Sequence, residues 1–192
     1  MKSFSNAAFA FYAPKLYHYY CETLQKLYDH HPNLGPPFYG SIWPSESGSG
    51  DAACLSALHN DHNNLAFGWC AIQPVGDFDN TTGGHLILQQ FGIVAEFPAG
   101  TACLLPSAVI KHGNTPLLQA EQTRKSLVSY AAGGLFRWVE YGFRTWKQFA
   151  AAEPVRSKQV WAQRRRERPK FALSLFSKVE ELVHDHRHVF GL

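Results

Sequence analysis

The chain has 192 residues, of which 45% are hydrophobic and 17% are charged, and its formal net charge is +3. This length suits one globular domain with a full core, and the composition excludes a disordered or strongly solvated chain. The weakly basic balance permits contact with nucleic acid without requiring it.

The four cysteines (Cys21, Cys54, Cys70 and Cys103) are widely spaced and include no close pair. A structural zinc site is therefore not expected, because thiolate ligands normally come in close pairs. No secretory signal and no run of about 20 apolar residues, the length of a membrane span, is visible. We expect an intracellular protein with reduced, mostly buried cysteines and no membrane association.

The N-terminal part of the sequence is typical of a helix. Apolar and aromatic residues recur at helical spacing over residues 12–28, which predicts an amphipathic helix that begins after Pro14 and ends before the segment HHPNLGPP. A short extended piece, FYGSIWPS, follows. The next segment, SESGSGD (residues 45–51), has the most flexible composition in the chain and is interpreted as a natural surface loop or an engineered join.

The middle of the chain has the pattern of a β-protein. Short apolar runs (FGWCAIQPV, GGHLILQQF, FGIVAEF, GTACLLPSAVI and RKSLVSYAAGG) are separated by the turn segments GDFDNTTGG, FPAG and HGNTP. Such spacing predicts a sandwich or barrel. The predicted fold class is mainly β with flanking helices and a double-stranded β-helix (jelly-roll) core. We expect a single domain over residues 1–192, with a helical segment at 1–35, the core at 38–135 and C-terminal helices at 136–192.

The stretch HNDHNN contains a candidate pair of metal ligands. His59 and Asp61 are two residues apart, so an extended segment places both side chains on one side. Alone, this pair is more typical of a polar loop. His62 is an alternative ligand, but an extended segment would place it on the face opposite His59, which favours Asp61.

A third ligand candidate, His112, follows the apolar segment AVIK and precedes a turn segment. It comes 51 residues after Asp61, which leaves room for about four strands and would return it beside His59 in a jelly roll. Two histidines and one carboxylate form the facial triad that holds non-haem Fe(II) and leaves positions open for a cosubstrate and oxygen. His85, in GGHLIL, is interpreted as a wall histidine rather than a catalytic one.

Arg124 and Ser126 form the second part of the candidate site. A guanidinium can bind a carboxylate through two parallel hydrogen bonds, and Ser126 lies on the same face of the predicted strand. With the three ligand candidates upstream, this order predicts 2-oxoglutarate, chelating iron through its keto-acid end and held by Arg124 and Ser126 at its far carboxylate.

A longer pattern runs from about Phe38 to Trp146: HxDxxN…GWCAI…GDFD…GGHLxL…EFPxG…LxPSAxIxH…TRxSxxxY…GGLFRWxEYGFRTW. It resembles the TET/J-binding-protein family of Fe(II)/2-oxoglutarate dioxygenases, in particular its fungal (basidiomycete-type) members. The resemblance implies that His59, Asp61 and His112 are the metal ligands of the catalytic centre. It also implies that Arg124 anchors 2-oxoglutarate with Ser126 beside it.

The same resemblance assigns two substrate-binding residues. Asn64 matches an asparagine that contacts the target base, and Tyr130 matches a tyrosine that stacks near it. One departure concerns position 132, where animal TET enzymes carry a histidine and this chain has Ala132. The implied base pocket therefore differs, and it could accept N6-methyladenine as well as 5-methylcytosine.

The expected function is oxidation of a methylated nucleobase in DNA with Fe(II), 2-oxoglutarate and O2, either 5-methylcytosine oxidation or N6-methyladenine demethylation. The base would flip out of the duplex into the pocket. The alternative is a dioxygenase that hydroxylates a small metabolite or a protein side chain, and a third hypothesis is a non-enzymatic binding module. The run QRRRERPK has two interpretations. It is a solvated helix end, or it is a functional basic segment that contacts DNA phosphates or acts as a nuclear localisation signal. We expect a nuclear location and make no prediction of the oligomeric state.

Overall fold

The computed structural model describes residues 2–49 and 55–191. Cys54 and the end of the SESGSGD segment (residues 50–51) lie outside the described residues. The fold is mixed α/β with antiparallel sheets, and the predicted helices before and after the strands in the sequence are confirmed. In the described ranges more residues lie in helices than in strands, so β-structure forms a smaller part of the chain than predicted. The residues group into two compact units, a β unit (37–39, 43–49 and 55–132) and a helical unit (2–36, 40–42 and 133–191). A single domain over the whole chain stays a prediction.

The β unit contains two antiparallel sheets. Its strands among the described residues are β1 (Ser45–Gly48), β2 (Cys70–Val75), β3 (Leu86–Leu88), β4 (Ile93–Ala95), β5 (Cys103–Leu105), β6 (His112–Asn114) and β7 (Lys125–Tyr130). The first sheet has the strand order β1-β7-β2-β5, and the second has the order β4-β3-β6. The jelly-roll connectivity stays a prediction.

The core of the β unit draws on both sheets. Cys70, Ile72 and Leu105 from the first sheet cluster with Leu86 from the second and with Phe97. Cys70 and Ile72 alternate along β2, as expected for a strand that turns every second side chain into the core. Burying these apolar side chains holds the two sheets together.

Several strand boundaries differ from the sequence prediction. The segment FYGSIWPS is a series of bends and turns that becomes extended only at its last residue, whereas Ser45–Gly48 of the presumed loop pairs with β7 along its whole length. A strand that completes the hydrogen bonds of an existing sheet edge needs little β-propensity of its own. The segment AVI at residues 108–110 is a turn and bend, and the presumed turn residues HGN form β6.

The helical unit contains six α-helices among the described residues. They are α1 (Lys2–Tyr12), α2 (Pro14–His30), α3 (Gly133–Glu140), α4 (Trp146–Ala152), α5 (Pro154–Ser174) and α6 (Leu182–Phe190). The predicted amphipathic helix is α2, which begins at a proline, as is usual at the first turn. α1 lies within the predicted helical segment at 1–35, although no separate helix was predicted before Pro14.

The helical unit packs around one face of α2. Leu16, Tyr20, Leu24 and Leu27 of that helix are buried, at spacings of three and four residues. The ring of Phe136 in α3 lies 5.0 Å from that of Tyr20. No helix in the described part of the chain is both long and apolar enough to span a bilayer.

Candidate metal centre

Three side chains that are distant in sequence converge in the β unit. His59, Asp61 and His112 each offer one ligand atom, and these atoms lie within 4.8 Å of one another. Nε2 of His59 lies 3.4 Å from Oδ1 of Asp61, and the two imidazole centroids are 4.6 Å apart. This spacing would allow two nitrogens and one oxygen to reach a single cation.

The backbone explains this convergence. The segment from Ser56 to His59 runs antiparallel beside β6, because the peptide groups of His59 and His112 exchange two hydrogen bonds. The backbone N–H of Asn114 donates to Ser56 O at 3.1 Å, and the side-chain Oδ1 of Asn114 accepts from Ser56 N at 2.9 Å. His112 thus returns beside His59 as expected, but it begins a strand rather than ending one.

The close approach of these segments requires a glycine at position 113. A Cβ on Gly113 would lie 2.7 Å from Ser56 O, closer than van der Waals contact permits, and a tight 3.2 Å from Ala57 O. A larger residue would push the His59 segment away from β6.

Hydrogen bonds orient both imidazoles in the same way. Nδ1 of His59 lies 2.8 Å from Ala57 O, and Nδ1 of His112 lies 2.9 Å from Ile110 O. A carbonyl oxygen only accepts, so in the neutral rings the proton resides on Nδ1 and the lone pair on Nε2. This is the tautomer that ligates a metal through Nε2.

Asp61 is held by both its backbone and its carboxylate. Its amide donates to Ser107 O at 3.0 Å, and Oδ2 accepts from Nδ2 of Asn64 at 3.2 Å. The second hydrogen on that nitrogen is donated to Ser107 Oγ at 3.0 Å. The network leaves Oδ1 directed toward His59, and it places Asn64 against a candidate ligand.

A cavity of about 390 Å³ in the β unit contains this centre. All seven residues proposed from the sequence line it: His59, Asp61, Asn64, His112, Arg124, Ser126 and Tyr130. The last three are separated by two and four residues along one extended segment and therefore share a face. The cavity is of the size that holds a small organic ligand.

Arg124 is the most deeply buried cation of this cavity, with 1% of its surface exposed. Nη1 donates to Ser126 Oγ at 3.0 Å, and the guanidinium lies over the ring of Phe78 at 5.8 Å. Gly84, at φ +70°, leaves room for the side chain, since a Cβ there would lie 2.9 Å from Arg124 Cδ. Among the described residues that line the cavity, Asp61 is the only acid, so an anionic ligand is electrostatically compatible with it.

Sequence reasoning missed the contribution of β1. Ser47, Gly48 and Ser49 line the cavity, and the hydroxyl of Ser49 accepts from Ser126 N at 3.0 Å. Their polar, glycine-rich composition resembles that of a flexible loop, and nothing local signals that β7 pairs with them. Asn114 was also missed, although its position two residues after His112 places both on one face of a strand.

The alternative histidines lie outside this cavity. His62 is exposed in a turn after Asp61, and His85 is half-buried near β3. Neither lines the cavity.

The cysteines of the β core are poor metal ligands. Burial raises the pKa of Cys70 to about 12, although a hydrogen bond with Ser107 acts in the opposite direction. Burial also raises the pKa of Cys103 to about 11. Both thiols therefore stay protonated at neutral pH, and both are free of disulfides.

No protein-family model and no curated protein matches this chain. Among solved structures, it is similar to NgTET1, a TET oxygenase from Naegleria in complex with 5mC DNA, at 20% identity and a TM-score of 0.43. The match covers 55% of this chain and 41% of the solved one, so this chain matches about two fifths of the length of that protein.

Proposed function

We propose that this chain is an Fe(II)- and 2-oxoglutarate-dependent dioxygenase that oxidises a methylated nucleobase in DNA. The observation that carries the proposal is one cavity that holds both a candidate facial triad and a buried arginine–serine pair. The place of action that we propose is the nucleus.

The donor set fits divalent iron. Two neutral imidazoles and one carboxylate suit non-haem Fe(II), and both Nε2 atoms are left available by their Nδ1 hydrogen bonds. Bound iron would supply oxidation of a methyl C–H bond by O2, with 2-oxoglutarate converted to succinate and CO2. The role of His59, Asp61 and His112 is to hold the ion while leaving positions open for the cosubstrate.

The role of Arg124 and Ser126 is to bind the carboxylate of 2-oxoglutarate that lies away from the metal. The planar guanidinium can form two charge-assisted hydrogen bonds to it, and the Ser126 hydroxyl can add a third. Phe78 and Gly84 restrict the arginine side chain before the ligand arrives. Because Arg124 is shielded from water, its attraction for a carboxylate is stronger than at a surface.

The nucleobase assignment rests on the resemblance of the sequence pattern, and the geometry is compatible with it. Asn64 and Tyr130 line the cavity, where an amide can bond to a base edge and a phenol ring can stack on its face. The backbone of Asn64 pairs with that of Ala132 in an isolated antiparallel β-bridge. Position 132, where animal TET enzymes carry a histidine, therefore lies beside Asn64 and has a small side chain in this chain. We therefore propose both 5-methylcytosine and N6-methyladenine as substrates to test.

The test supplies purified protein with Fe(II), 2-oxoglutarate and duplex DNA that carries either modified base. Succinate release and mass spectrometry of the digested DNA are measured together. We expect succinate and an oxidised or demethylated base with the wild type and with His62→Ala, and neither of them with Asp61→Ala. Absence of succinate would refute the dioxygenase, whereas succinate release without any change in the digested DNA would favour the alternative substrate class.

A further inference from the structure

A second cavity, of about 400 Å³, lies within the helical unit and plays no part in the proposed chemistry. It is lined chiefly by arginine and aromatic side chains, among them Arg137, Arg144, Arg164, Tyr141, Trp146 and Trp161. We call it the arginine–tryptophan cavity.

The chain reversal after α3 brings these residues together. Gly142 and Phe143 both adopt left-handed backbone conformations, with φ of 70° and 59°. Thr145 then begins α4 with a capping box in which its side chain accepts from Gln148 N. Arg144 and Trp146, on either side of this cap, thereby face the same cavity as Arg164 of α5.

The aromatic wall of the cavity is continuous and partly open to solvent. The rings of Tyr141 and Trp146 lie 5.2 Å apart, and those of Trp146 and Trp161 lie 5.8 Å apart. Trp161 is 56% exposed, an unusual state for so large an apolar side chain. It offers an aromatic surface to which a planar ligand could bind.

The polar wall is rich in positive charge. Arg164 pairs with Glu140, and Arg144 pairs with Glu153. Arg137 is exposed and has no ion pair within the described residues.

The pKa of Arg164 supports this picture. It is lowered to about 10, first by burial and then by repulsion from Arg168 and Arg137. The two glutamates therefore leave a positive field in this region of the helical unit, and an anionic ligand would reduce the repulsion.

We propose that the arginine–tryptophan cavity binds one nucleotide unit, with its phosphate on Arg137 and Arg144 and its base on Trp161. Guanidinium groups match phosphate oxygens bidentately, and any nucleobase can stack on an exposed tryptophan. A cationic ligand would be repelled, and an acidic peptide would use the arginines but not the tryptophan face. The unit can come from a single strand of nucleic acid or from a free nucleotide.

The arginines of the run QRRRERPK differ in whether they line this cavity. Arg164 lines the cavity and is half-buried, whereas Arg165 and Arg166 are exposed and do not line it. Arg165 is thus a control of equal charge to Arg137, and it lies on the same helix as Trp161 and Arg164. The proposal does not depend on the metal centre, because every residue that it uses belongs to the helical unit.

The test measures fluorescence anisotropy of a labelled oligothymidylate with the full chain at low salt and without added metal. We expect Arg137→Ala and Trp161→Ala each to weaken binding about tenfold, the order of one charged hydrogen bond or one base–aromatic stack. Arg165→Ala should change binding less than twofold. Trp161→Phe should restore most of the affinity, because it retains a ring for stacking.

Thymidine monophosphate as a competitor identifies the source of the nucleotide. Displacement of the labelled strand indicates a site for one free unit, and failure to displace it indicates a site for a strand. The proposal is overturned if the wild type binds neither probe, or if Arg165→Ala loses as much affinity as Arg137→Ala. It is also overturned if polyglutamate displaces the strand as well as unlabelled oligothymidylate does.

Discussion

The peptide groups of His59 and His112 donate hydrogen bonds to each other's carbonyl oxygens, both at 3.0 Å. This is the hydrogen-bonded pair of an antiparallel ladder, and it places the two imidazoles side by side. The candidate metal centre therefore depends on backbone pairing with β6, so that removing one imidazole should leave its partner in place.

Substitution of His59 tests that relationship. The His59 side chain is 44% exposed, so His59→Ala should change the free energy of unfolding by less than about 1 kcal/mol. Metal binding should be lost, because only one imidazole and one carboxylate remain. The measurement is titration with Fe(II) under anaerobic conditions, or with Co(II) followed by its visible absorption. His62→Ala is the control, and unchanged binding by His59→Ala would exclude this centre.

The contact between Gly113 and the Ser56–Ala57 backbone predicts a second effect. A methyl group at Gly113 meets Ser56 O at 2.7 Å, so Gly113→Ala should displace the segment that carries His59. We expect metal affinity to fall about 10- to 100-fold, as for other changes to the support of a ligand. Gly35→Ala is the control, since nothing lies within 4 Å of its added Cβ. Equal metal affinity in the two variants would contradict the prediction.

Asn64 offers a test between two roles. Its amide bonds to Asp61 Oδ2 and Ser107 Oγ, so Asn64→Ala should release the carboxylate and weaken metal binding about tenfold without any DNA. A role confined to the target base would leave metal affinity unchanged and raise only the KM for DNA. Asn63→Ala, an exposed neighbour, should change neither quantity. Calorimetric metal titration without DNA separates the two roles.

The sequence allowed a better prediction of which side chains converge than of the backbone structure that positions them. The side chains of His59, Asp61 and His112 are chemically distinctive, and four strands do lie between Asp61 and His112, as the spacing suggested. The local structure at His112 was predicted incorrectly, because HGN has turn composition. Its strand conformation comes from pairing with β3 and with the Ser56 segment, which are partners distant in sequence.

Tertiary contacts also account for β1 and for α1. Ser45–Gly48 is extended because β7 supplies hydrogen bonds to it, a tertiary effect that composition does not reveal. The N-terminal residues have no strong helical period of polar and apolar positions, but the ring of Phe9 packs edge-on against those of Tyr17 and Tyr20 of α2. Pairing with a strand distant in sequence stabilises β1, whereas packing against the next helix along the chain stabilises α1.

The Arg124–Ser126 pair predicts selectivity for the guanidinium group. Arg124→Lys keeps the charge but loses the paired geometry, so the KM for 2-oxoglutarate should rise roughly 10- to 100-fold, the value of one lost charged hydrogen bond. Metal affinity measured without 2-oxoglutarate should not change. Lys125→Arg, at the adjacent exposed position, is the control. An unchanged KM in Arg124→Lys would remove this residue from cosubstrate binding.

The buried thiol of Cys70 predicts a dependence of stability on alkaline pH. Burial raises its pKa to about 12, so the folded state keeps a proton that the unfolded chain loses above about pH 8.5. Its contribution to stability is therefore complete at neutral pH and decreases as pH rises toward 12. Urea unfolding should show that the cost of Cys70→Ala is smaller at pH 10 than at pH 7 by about 2 kcal/mol. Ile72→Ala removes a neighbouring core side chain that cannot titrate, so its cost should be equal at both pH values. A cost of Cys70→Ala that is likewise independent of pH would show that the thiol titrates normally.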